Sequence, residues 1–250
     1  MPRAMLAVRS SLRVARLAGA RTCGGEEAPR LRRERVFEQL KRDFLGKPDK
    51  SRAGRIDKPI ASVCAALNRR PDAYTTSSCS GRAIVWFGEE PPSKRRGAPQ
   101  FLPTSRVEHR PDGVGALLDF VESMPPGAQT AWLRFEPMVL DMCCRDLGAV
   151  RRLLSLARQA GLKRTAVSSP GPRLGRASRC AWRLYVQGEE RLEMPLLARG
   201  RAVFPLACER TWLEGVVLRK FERNAERTQR FLRALLSEEA SGVAAPASES

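Results

Sequence analysis

The chain has 250 residues, of which 42% are hydrophobic, so it is long enough for one domain with a substantial buried core. Its formal net charge of +18 favours a polyanionic partner such as nucleic acid. Arginine greatly outnumbers lysine, however, and a compositional bias without functional meaning is the alternative interpretation. No apolar stretch is long enough to cross a bilayer, so we expect no membrane-spanning segment.

The N-terminal extension, residues 1–30, is basic. Its first 25 residues contain five arginines and no acidic residue, among alanine, leucine, valine and serine. This composition is typical of a mitochondrial transit peptide. We therefore expect a mitochondrial protein. A cytoplasmic protein with an unstructured basic extension, or with a wrongly chosen start codon, is the alternative.

The predicted elements indicate an α+β domain over residues 31–237, with a mixed sheet flanked by helices and a long C-terminal helix. A disordered tail is expected over residues 238–250. In the first half of the domain we predict a helix over 31–45, a helix capped by Asp57, a loop over 74–82, a strand over 83–87, and a mobile loop over 89–110 with a short extended piece at Phe101-Leu102. A helix over 114–124 follows, and then strands over 132–135 and 138–143 that are interrupted at Pro137. The second half is predicted to contain a helix from its cap Asp146 to Gly161, a loop over 167–179, a hairpin of strands over 180–186 and 192–197, and a helix over 209–236.

The most informative segment is residues 74–82, which contain five serine and threonine residues, Cys79, Gly81 and Arg82. Serine and threonine side chains compete with the backbone for hydrogen bonds, so the run favours a turn. Gly81 permits positive φ and close approach of a ligand, and Arg82 offers a planar cationic fork that suits carboxylate or phosphate. A polar loop beside a buried strand is a common binding site. A tight turn whose hydroxyls satisfy only the backbone is the alternative.

Few other residues carry recognisable chemistry. The seven cysteines form no Cys-x-x-Cys pair and the chain has a single histidine, His109, so we expect no metal site of familiar spacing. The thiols indicate a reducing compartment. Glu136 lies in an apolar strand, where it could be a buried base, a ligand for an ammonium group, or a carboxylate paired with arginine. No Gly-x-Gly loop follows an early strand, so a Rossmann-type cofactor site is not predicted.

Basic residues that could contact RNA occur in two regions. The loop that contains Arg173, Arg176 and Arg179 has no adjacent acidic residue and suits phosphate binding, and Lys163 and Arg164 would extend it. Arginines also recur at helical spacing in the C-terminal helix. Neighbouring glutamates could neutralise them, which leaves a solvated helix face as the alternative.

Five segments, in order along the chain, resemble the wybutosine-synthesising protein 3 family of tRNA-modifying methyltransferases. The likeness spans approximately residues 36–237. The segments are Asp-Lys-Ser-Arg-Ala-Gly at 49–54 with Ile-Asp at 56–57, Thr-Thr-Ser-Ser-Cys-Ser-Gly-Arg at 75–82, Phe-Glu-Pro at 135–137 with Leu140 and Cys-Arg at 144–145, Ala-Gly-Leu-Lys-Arg-Thr at 160–165, and Glu-Met-Pro-Leu at 193–196.

This resemblance implies a fold distinct from the Rossmann type and an activity that uses S-adenosyl-L-methionine. The family methylates the ring nitrogen N4 of 7-aminocarboxypropyl-demethylwyosine, beside the anticodon of phenylalanine tRNA. The candidate catalytic residues are Glu136, from its place in an apolar strand, and Asp141, which could be a base in its own right or an exposed strand residue. The candidate cofactor- or substrate-binding residues are Thr76, Ser77, Ser78, Cys79, Gly81, Arg82 and Thr165.

The chain departs from the family at two positions. Ser105 takes the place of a histidine that the family usually has in the strand after its variable loop, and His109 lies nearby and could substitute for it. Asp141 stands where the family often has another histidine. These departures keep open a second function, that of a non-catalytic RNA-binding relative.

Overall fold

The computed structural model describes residues 27–47, 55–88, 105–123, 130–170, 173–174, 178–179 and 181–243. Five α-helices and eleven strands are assigned within these ranges. The helices are α1 (Glu27–Leu45), α2 (Lys58–Arg69), α3 (Val114–Glu122), α4 (Leu147–Gln159) and α5 (Leu206–Val243). The strands are β1 (Ala73–Cys79), β2 (Arg82–Phe87), β3 (Ser105–Glu108), β4 (Ala131–Glu136), β5 (Val139–Cys144), β6 (Arg164–Pro170), β7 (Arg173–Leu174), β8 (Ser178–Arg179), β9 (Trp182–Gln187), β10 (Leu192–Ala198) and β11 (Arg201–Ala202).

The predicted α+β class is confirmed, and the strands are distributed over two main antiparallel sheets. Sheet one has the order β1-β5-β9-β6, and sheet two has the order β11-β10-β4-β2-β3. Strands β7 and β8 form a separate two-stranded ribbon. None of the described helices is long and apolar enough to cross a bilayer.

Within the described residues, the chain passes between the two sheets at three points, and these points meet beside α5. The first is Ser80-Gly81, the second is Pro137-Met138, and the third follows β9 at Gly188. Gly188 N–H donates to the Met138 carbonyl at 2.9 Å. Asn224, buried in α5, donates through Nδ2 to the Ser80 carbonyl and accepts from the Met138 N–H, both at 2.8 Å. One amide side chain therefore holds two of the crossings together.

Each main sheet has its own hydrophobic core, and α5 contributes to both. The core of sheet one includes residues of α2 and α4, with Phe231 and Leu235 from the second half of α5. The core of sheet two includes α3, with Leu213, Val217 and Phe221 from the first half of α5. The long predicted C-terminal helix is thus confirmed, and it reaches Val243 rather than ending at residue 236.

Three segments predicted as loops contain strands. Strand β3 lies within the loop expected over residues 89–110. Residues 73–79 pair along β5, and the competition of serine and threonine with the backbone is outweighed because β5 supplies partners for the backbone groups. The register of β1 with β5 is irregular between Thr75 and Ser77, and the chain turns only at Ser80-Gly81. Strand β6 likewise continues through Pro170 along β9, where a loop was expected from residue 167.

The predicted hairpin of strands 180–186 and 192–197 is wrong. Strand β9 lies between β5 and β6, so both of its edges are occupied, and β10 crosses to sheet two and pairs with β4. Pro137, which was predicted to interrupt the strands, lies where the chain changes sheet between β4 and β5. The extended piece expected at Phe101-Leu102 lies outside the described residues.

Candidate functional site

The polar segment of residues 74–82 forms the corner where β1 leaves sheet one and β2 enters sheet two. Gly81 has φ +101°, a conformation that L side chains rarely adopt. A Cβ at this position would lie 2.9 Å from Asn224 Nδ2 and 3.2 Å from both the Glu136 carbonyl oxygen and the Met138 nitrogen. The close approach of three chain segments therefore requires glycine here.

Asp57 connects the start of α2 to this corner. It occupies the N-cap position of α2 as predicted, but its side chain makes no capping hydrogen bond. Its Oδ2 instead accepts from the Ser80 N–H at 3.0 Å and from the Ser80 hydroxyl at 3.2 Å. The carboxylate is thus directed towards the corner rather than towards the helix.

Two further side chains meet Asp57 at this place. His109 directly follows β3, and its Nδ1 lies 3.6 Å from Asp57 Oδ2. This imidazole nitrogen is shielded from solvent and has no hydrogen-bond partner among the described residues. The donor atoms of Asp57, Cys79 and His109 all lie within 4.8 Å of one another. Burial raises the pKa of the Cys79 thiol, against the lowering effects of the Gly81 N–H and Arg82. Among the described residues, this is the group with the composition and spacing to hold a metal ion.

Arg82 and Glu136 form an ion pair on the sheet-two side of the corner. They are opposite each other in the register of β2 and β4. Arg82 Nε and Nη2 both lie 2.8 Å from Glu136 Oε2, and Arg134 Nη1 lies 3.6 Å from Oε1. Both side chains of the pair remain partly accessible, at 17% for Arg82 and 30% for Glu136. Glu136 is therefore a carboxylate held by arginines at the rim of the corner.

Asp141 is held in a similar way on the sheet-one side. Arg183 on β9 donates from Nε to Oδ1 at 3.3 Å and from Nη2 to Oδ2 at 2.7 Å. Thr76 completes this group, because its hydroxyl donates to the Asp141 carbonyl and accepts from Arg183 Nη2, both at 3.0 Å. The structure thus brings Thr76 and Asp141 together through Arg183, which the sequence did not single out.

The other predicted pocket residues divide into two groups. Ser77 is exposed and Ser78 is partly buried, and both lie on β1 next to the corner. Thr165 is buried on β6, three strands away from β1, a distance of about 14 Å at the usual strand spacing. Its hydroxyl donates to the Leu162 carbonyl at 2.6 Å. The structure does not bring Thr165 together with the corner.

Four of the five predicted RNA-binding residues, Lys163, Arg164, Arg173 and Arg179, lie at the far edge of sheet one and in the ribbon that follows. Lys163 and Arg164 are exposed, and Arg164 contacts Glu189 through its backbone N–H at 2.9 Å and its Nε at 3.5 Å. Arg173 and Arg179 face each other in the register of β7 and β8. The side chains of these two residues, and Arg176 as a whole, lie outside the described residues.

The basic face predicted on α5 is partly used within the protein. Glu190 is buried, and it forms ion pairs with Lys220 at 3.2 Å and with Arg227 at 2.6 Å. These two cations fix the segment between β9 and β10 against the helix. The positive charge of Lys220 and Arg227 is therefore paired within the protein, with Glu190.

Sequence reasoning missed three contributors to the corner. Asp57 was predicted only as a helix cap, His109 only as a possible substitute for a family histidine, and Asn224 not at all. A signal for Asn224 was present, since an asparagine on the apolar side of a long helix must find hydrogen-bond partners when buried. No local pattern could have shown that Asp57, Cys79 and His109 meet, because their contact depends on the packing of separate elements.

Comparison with known proteins gives consistent matches. The family model described as "Methyltransferase TYW3" matches residues 31–237. The chain is 29% identical over 202 residues to the tRNA wybutosine-synthesizing protein 3 homolog of Mus musculus, covering 80% of this chain and 72% of that protein. It is 28% identical to the Homo sapiens homolog, covering 81% and 73%. It is also 32% identical over 154 residues to the tRNA wybutosine-synthesizing protein 2/3/4 of Oryza sativa, but spans only 14% of that longer protein.

Two solved structures share the fold. The PH1069 protein from Pyrococcus horikoshii superimposes with a TM-score of 0.63 at 20% identity, covering 83% of this chain and 97% of that chain. A hypothetical protein from Aeropyrum pernix superimposes with a TM-score of 0.51 at 18% identity, covering 71% and 98%. At these identities the likeness shows the architecture alone.

Proposed function

The chain belongs to the TYW3 methyltransferase family, and we propose that it transfers a methyl group from S-adenosyl-L-methionine to N4 of 7-aminocarboxypropyl-demethylwyosine in phenylalanine tRNA. The observation that carries the proposal is the family match, which extends over residues 31–237 and so includes the whole corner around Gly81. Relatives whose names refer to tRNA wybutosine synthesis support the substrate class.

The residues at the corner suit a reaction that depends on positioning. The sulfonium of S-adenosyl-L-methionine supplies an activated methyl group, so the protein must mainly hold donor and acceptor in line and limit access of water. Such a site needs no covalent nucleophile. Burial raises the pKa of the Cys79 thiol, so Cys79 is predominantly protonated at neutral pH, which agrees with that expectation.

We propose that Arg82 and Glu136 recognise an α-amino acid group. This group carries a carboxylate and an ammonium, and it occurs both in S-adenosyl-L-methionine and in the aminocarboxypropyl side chain of the substrate. A partly accessible arginine can bind the carboxylate while an adjacent glutamate accepts from the ammonium. Ser77 and Ser78, next to the pair, would add hydroxyl contacts.

The ion pairs also change the roles proposed for the two carboxylates. Glu136 is ion-paired with Arg82 and Arg134, and Asp141 with Arg183, and each carboxylate keeps acceptor sites for a further donor. These contacts favour binding or positioning over proton removal. We propose that Asp141 orients Arg183 and Thr76 beside the corner, and that Lys163, Arg164, Arg173, Arg176 and Arg179 contact the tRNA backbone.

The direct test is methyl transfer by purified protein to phenylalanine tRNA isolated from cells that accumulate the unmethylated intermediate. Nucleoside mass spectrometry should show a product that depends on S-adenosyl-L-methionine. Arg82→Gln should lower kcat/KM by about 100-fold, because misplacement of a reacting group has effects of that size. Arg201→Gln, at an exposed position on the short strand β11, should leave the rate unchanged. Absence of any product with the folded wild-type protein would contradict the proposal.

A second candidate is RNA binding without catalysis. The net charge of +18 and the arginine pairing of both candidate carboxylates favour it. It predicts salt-sensitive binding of tRNA with no methyl transfer and no binding of S-adenosyl-L-methionine. Equilibrium dialysis with the cofactor, carried out beside the transfer assay, separates the two candidates.

We propose a mitochondrial location on the composition of residues 1–30, with the cytoplasm as the alternative. Fluorescent fusions of the full chain and of a form that lacks residues 1–30 test this proposal. Mitochondrial signal only from the full chain supports it, and the same distribution from both forms contradicts it.

A further inference from the structure

The chain brings a carboxylate, a thiol and an imidazole together at the corner, and each comes from a different element. Asp57 precedes α2, Cys79 ends β1, and His109 follows β3. We propose that these three side chains bind a divalent transition-metal ion, with Zn²⁺ as the ion that best suits the donors. The proposal rests on the geometry of the three residues and is independent of the proposed methyl transfer.

The distances fit a small ion. Zn²⁺ binds oxygen and nitrogen at about 2.0–2.2 Å and sulfur at about 2.3 Å, so donors around a tetrahedral ion lie about 3.3–3.7 Å apart. Asp57 Oδ2 and His109 Nδ1 are separated by 3.6 Å, and all three donor atoms lie within 4.8 Å of one another. For coordination, the donor atoms therefore need to approach one another by no more than about 1.5 Å.

Asp57 Oδ2, at 3.6 Å, is too distant to form a hydrogen bond with His109 Nδ1. The nitrogen is shielded from solvent and has no hydrogen-bond partner in the described residues, although buried polar atoms usually have one. It lies near a carboxylate oxygen and a sulfur, both of which are metal ligands. A metal ion between the three donor atoms would engage this nitrogen.

The two other donors are supported by further contacts. Ser80 fixes Asp57 Oδ2 through its backbone N–H and its hydroxyl, at 3.0 and 3.2 Å. The Gly81 N–H donates to the Cys79 sulfur. Outer contacts of this kind orient the ligands of protein metal sites. They also explain why Asp57 stands at the N-cap of α2 without capping it.

The donor set indicates the class of ion. A mixture of carboxylate, thiolate and imidazole suits Zn²⁺ or Co²⁺, whereas Mg²⁺ and Ca²⁺ prefer oxygen alone. On binding, the Cys79 thiol gives its proton to solvent and the sulfur bonds to the metal. Three protein ligands would leave one tetrahedral position open, as in catalytic zinc sites.

The test is a titration of metal-free full-length protein with Co²⁺, followed by absorption spectroscopy. Wild type should show the ligand-field bands of tetrahedral Co²⁺ and the near-ultraviolet charge-transfer band of a thiolate ligand, and Zn²⁺ should abolish both. Cys79→Ser should lose the charge-transfer band, and Asp57→Asn and His109→Gln should bind Zn²⁺ more weakly in calorimetry. Cys208→Ser, which changes an exposed cysteine, should behave as wild type.

Ser80→Ala provides a variant that keeps all three ligands. Loss of the hydroxyl contact to Asp57 should weaken Zn²⁺ binding by about 10-fold. Circular dichroism shows whether each variant is folded. Absence of tetrahedral Co²⁺ bands in the folded wild type would overturn the proposal, as would a thiolate band that persists in folded Cys79→Ser.

Discussion

Gly81 shows how one residue determines the geometry of the corner. Its positive φ lets the chain turn from sheet one into sheet two, and its missing side chain lets the backbones of Glu136 and Met138 approach. The sequence predicted the positive φ and the close approach, but it assigned the approach to a ligand. The structure shows that other parts of the same chain occupy that space.

Gly81→Ala should therefore destabilise the protein more than an alanine at another glycine with positive φ. Gly161→Ala is the matched control, because φ is +85° there but a Cβ would make only ordinary contacts with Arg227. Both changes should lower the free energy of unfolding by about 1–2 kcal/mol, because alanine is strained in the left-handed backbone conformation. Gly81→Ala should cost more, since backbone atoms at 3.2 Å cannot move aside as a side chain can.

Equilibrium unfolding in urea measures the two effects. Equal losses of unfolding free energy in the two variants would contradict the close packing described at the corner. A larger loss in Gly81→Ala, with an unchanged denaturant slope, would agree with it.

At the scale of elements, helix α4 was predicted accurately from local signals. Helix α4 was predicted from its cap Asp146 and its stop Gly161. The Asp146 carboxylate accepts from the Ala149 N–H at 2.8 Å, and Gly161 has φ +85°. Predictions failed for segments whose structure depends on hydrogen bonding to a strand that is distant in sequence. Strand β1 is rich in serine and threonine, and only its pairing with β5 makes it a strand.

The failed hairpin has a similar origin. A turn near Gly188 was correctly placed between two strands, but sequence does not show that the chain changes sheet there. That change depends on contacts among Gly188, Met138 and Asn224, which are distant in sequence. For the same reason, the sequence does not show that Asp57, Cys79 and His109 meet, although each lies in or next to a predicted element or segment.

Asp72 joins several elements and should make stability depend on pH. Its buried carboxylate accepts from Arg152 on α4 at 2.7 Å and from Arg70, after α2, at 3.0 Å. Burial raises the pKa of this carboxyl, but the hydrogen bonds from the two arginines outweigh burial and bring it below its usual range. The stabilisation is therefore fully present above a pH of about 4, the unfolded-state pKa, and is lost as pH falls through the folded-state pKa.

Asp72→Asn should lower the unfolding free energy by about 3 kcal/mol at pH 7, because it removes one partner of a buried ionic network. The difference from wild type should shrink as the pH falls below about 4. Thermal unfolding between pH 7 and pH 2 measures this, with the exposed Asp112→Asn as control. A difference that stays constant with pH would contradict the role given to the network.

At the scale of the whole molecule, α5 joins the two halves. It contributes to the cores of both main sheets, and Asn224 lies at the point where the chain crosses between them. The sequence predicted the helix, since its periodicity is strong and local. It could not show that one face of the helix serves two sheets, because the division of the strands is a property of the complete fold.

Asn224→Ala should destabilise the whole molecule by about 2–4 kcal/mol, since it leaves the Ser80 carbonyl and the Met138 N–H without their partner. Thr228→Val is the matched control on the same helix. Thr228 is equally buried, but its hydroxyl donates only to the Asn224 carbonyl within the helix. Unfolding in urea compares the two variants, and a loss in Thr228→Val as large as in Asn224→Ala would contradict the role of the crossing.

The activity proposed for the protein is methylation of a wybutosine intermediate in phenylalanine tRNA. The most direct measurement is nucleoside mass spectrometry of that tRNA, from cytosol and mitochondria separately, in cells that lack the gene and in cells rescued with wild type or Arg82→Gln. We predict that the intermediate without its N4 methyl accumulates and that only wild type reverses this. Normal wybutosine in both tRNA pools of cells lacking the gene would contradict the claim.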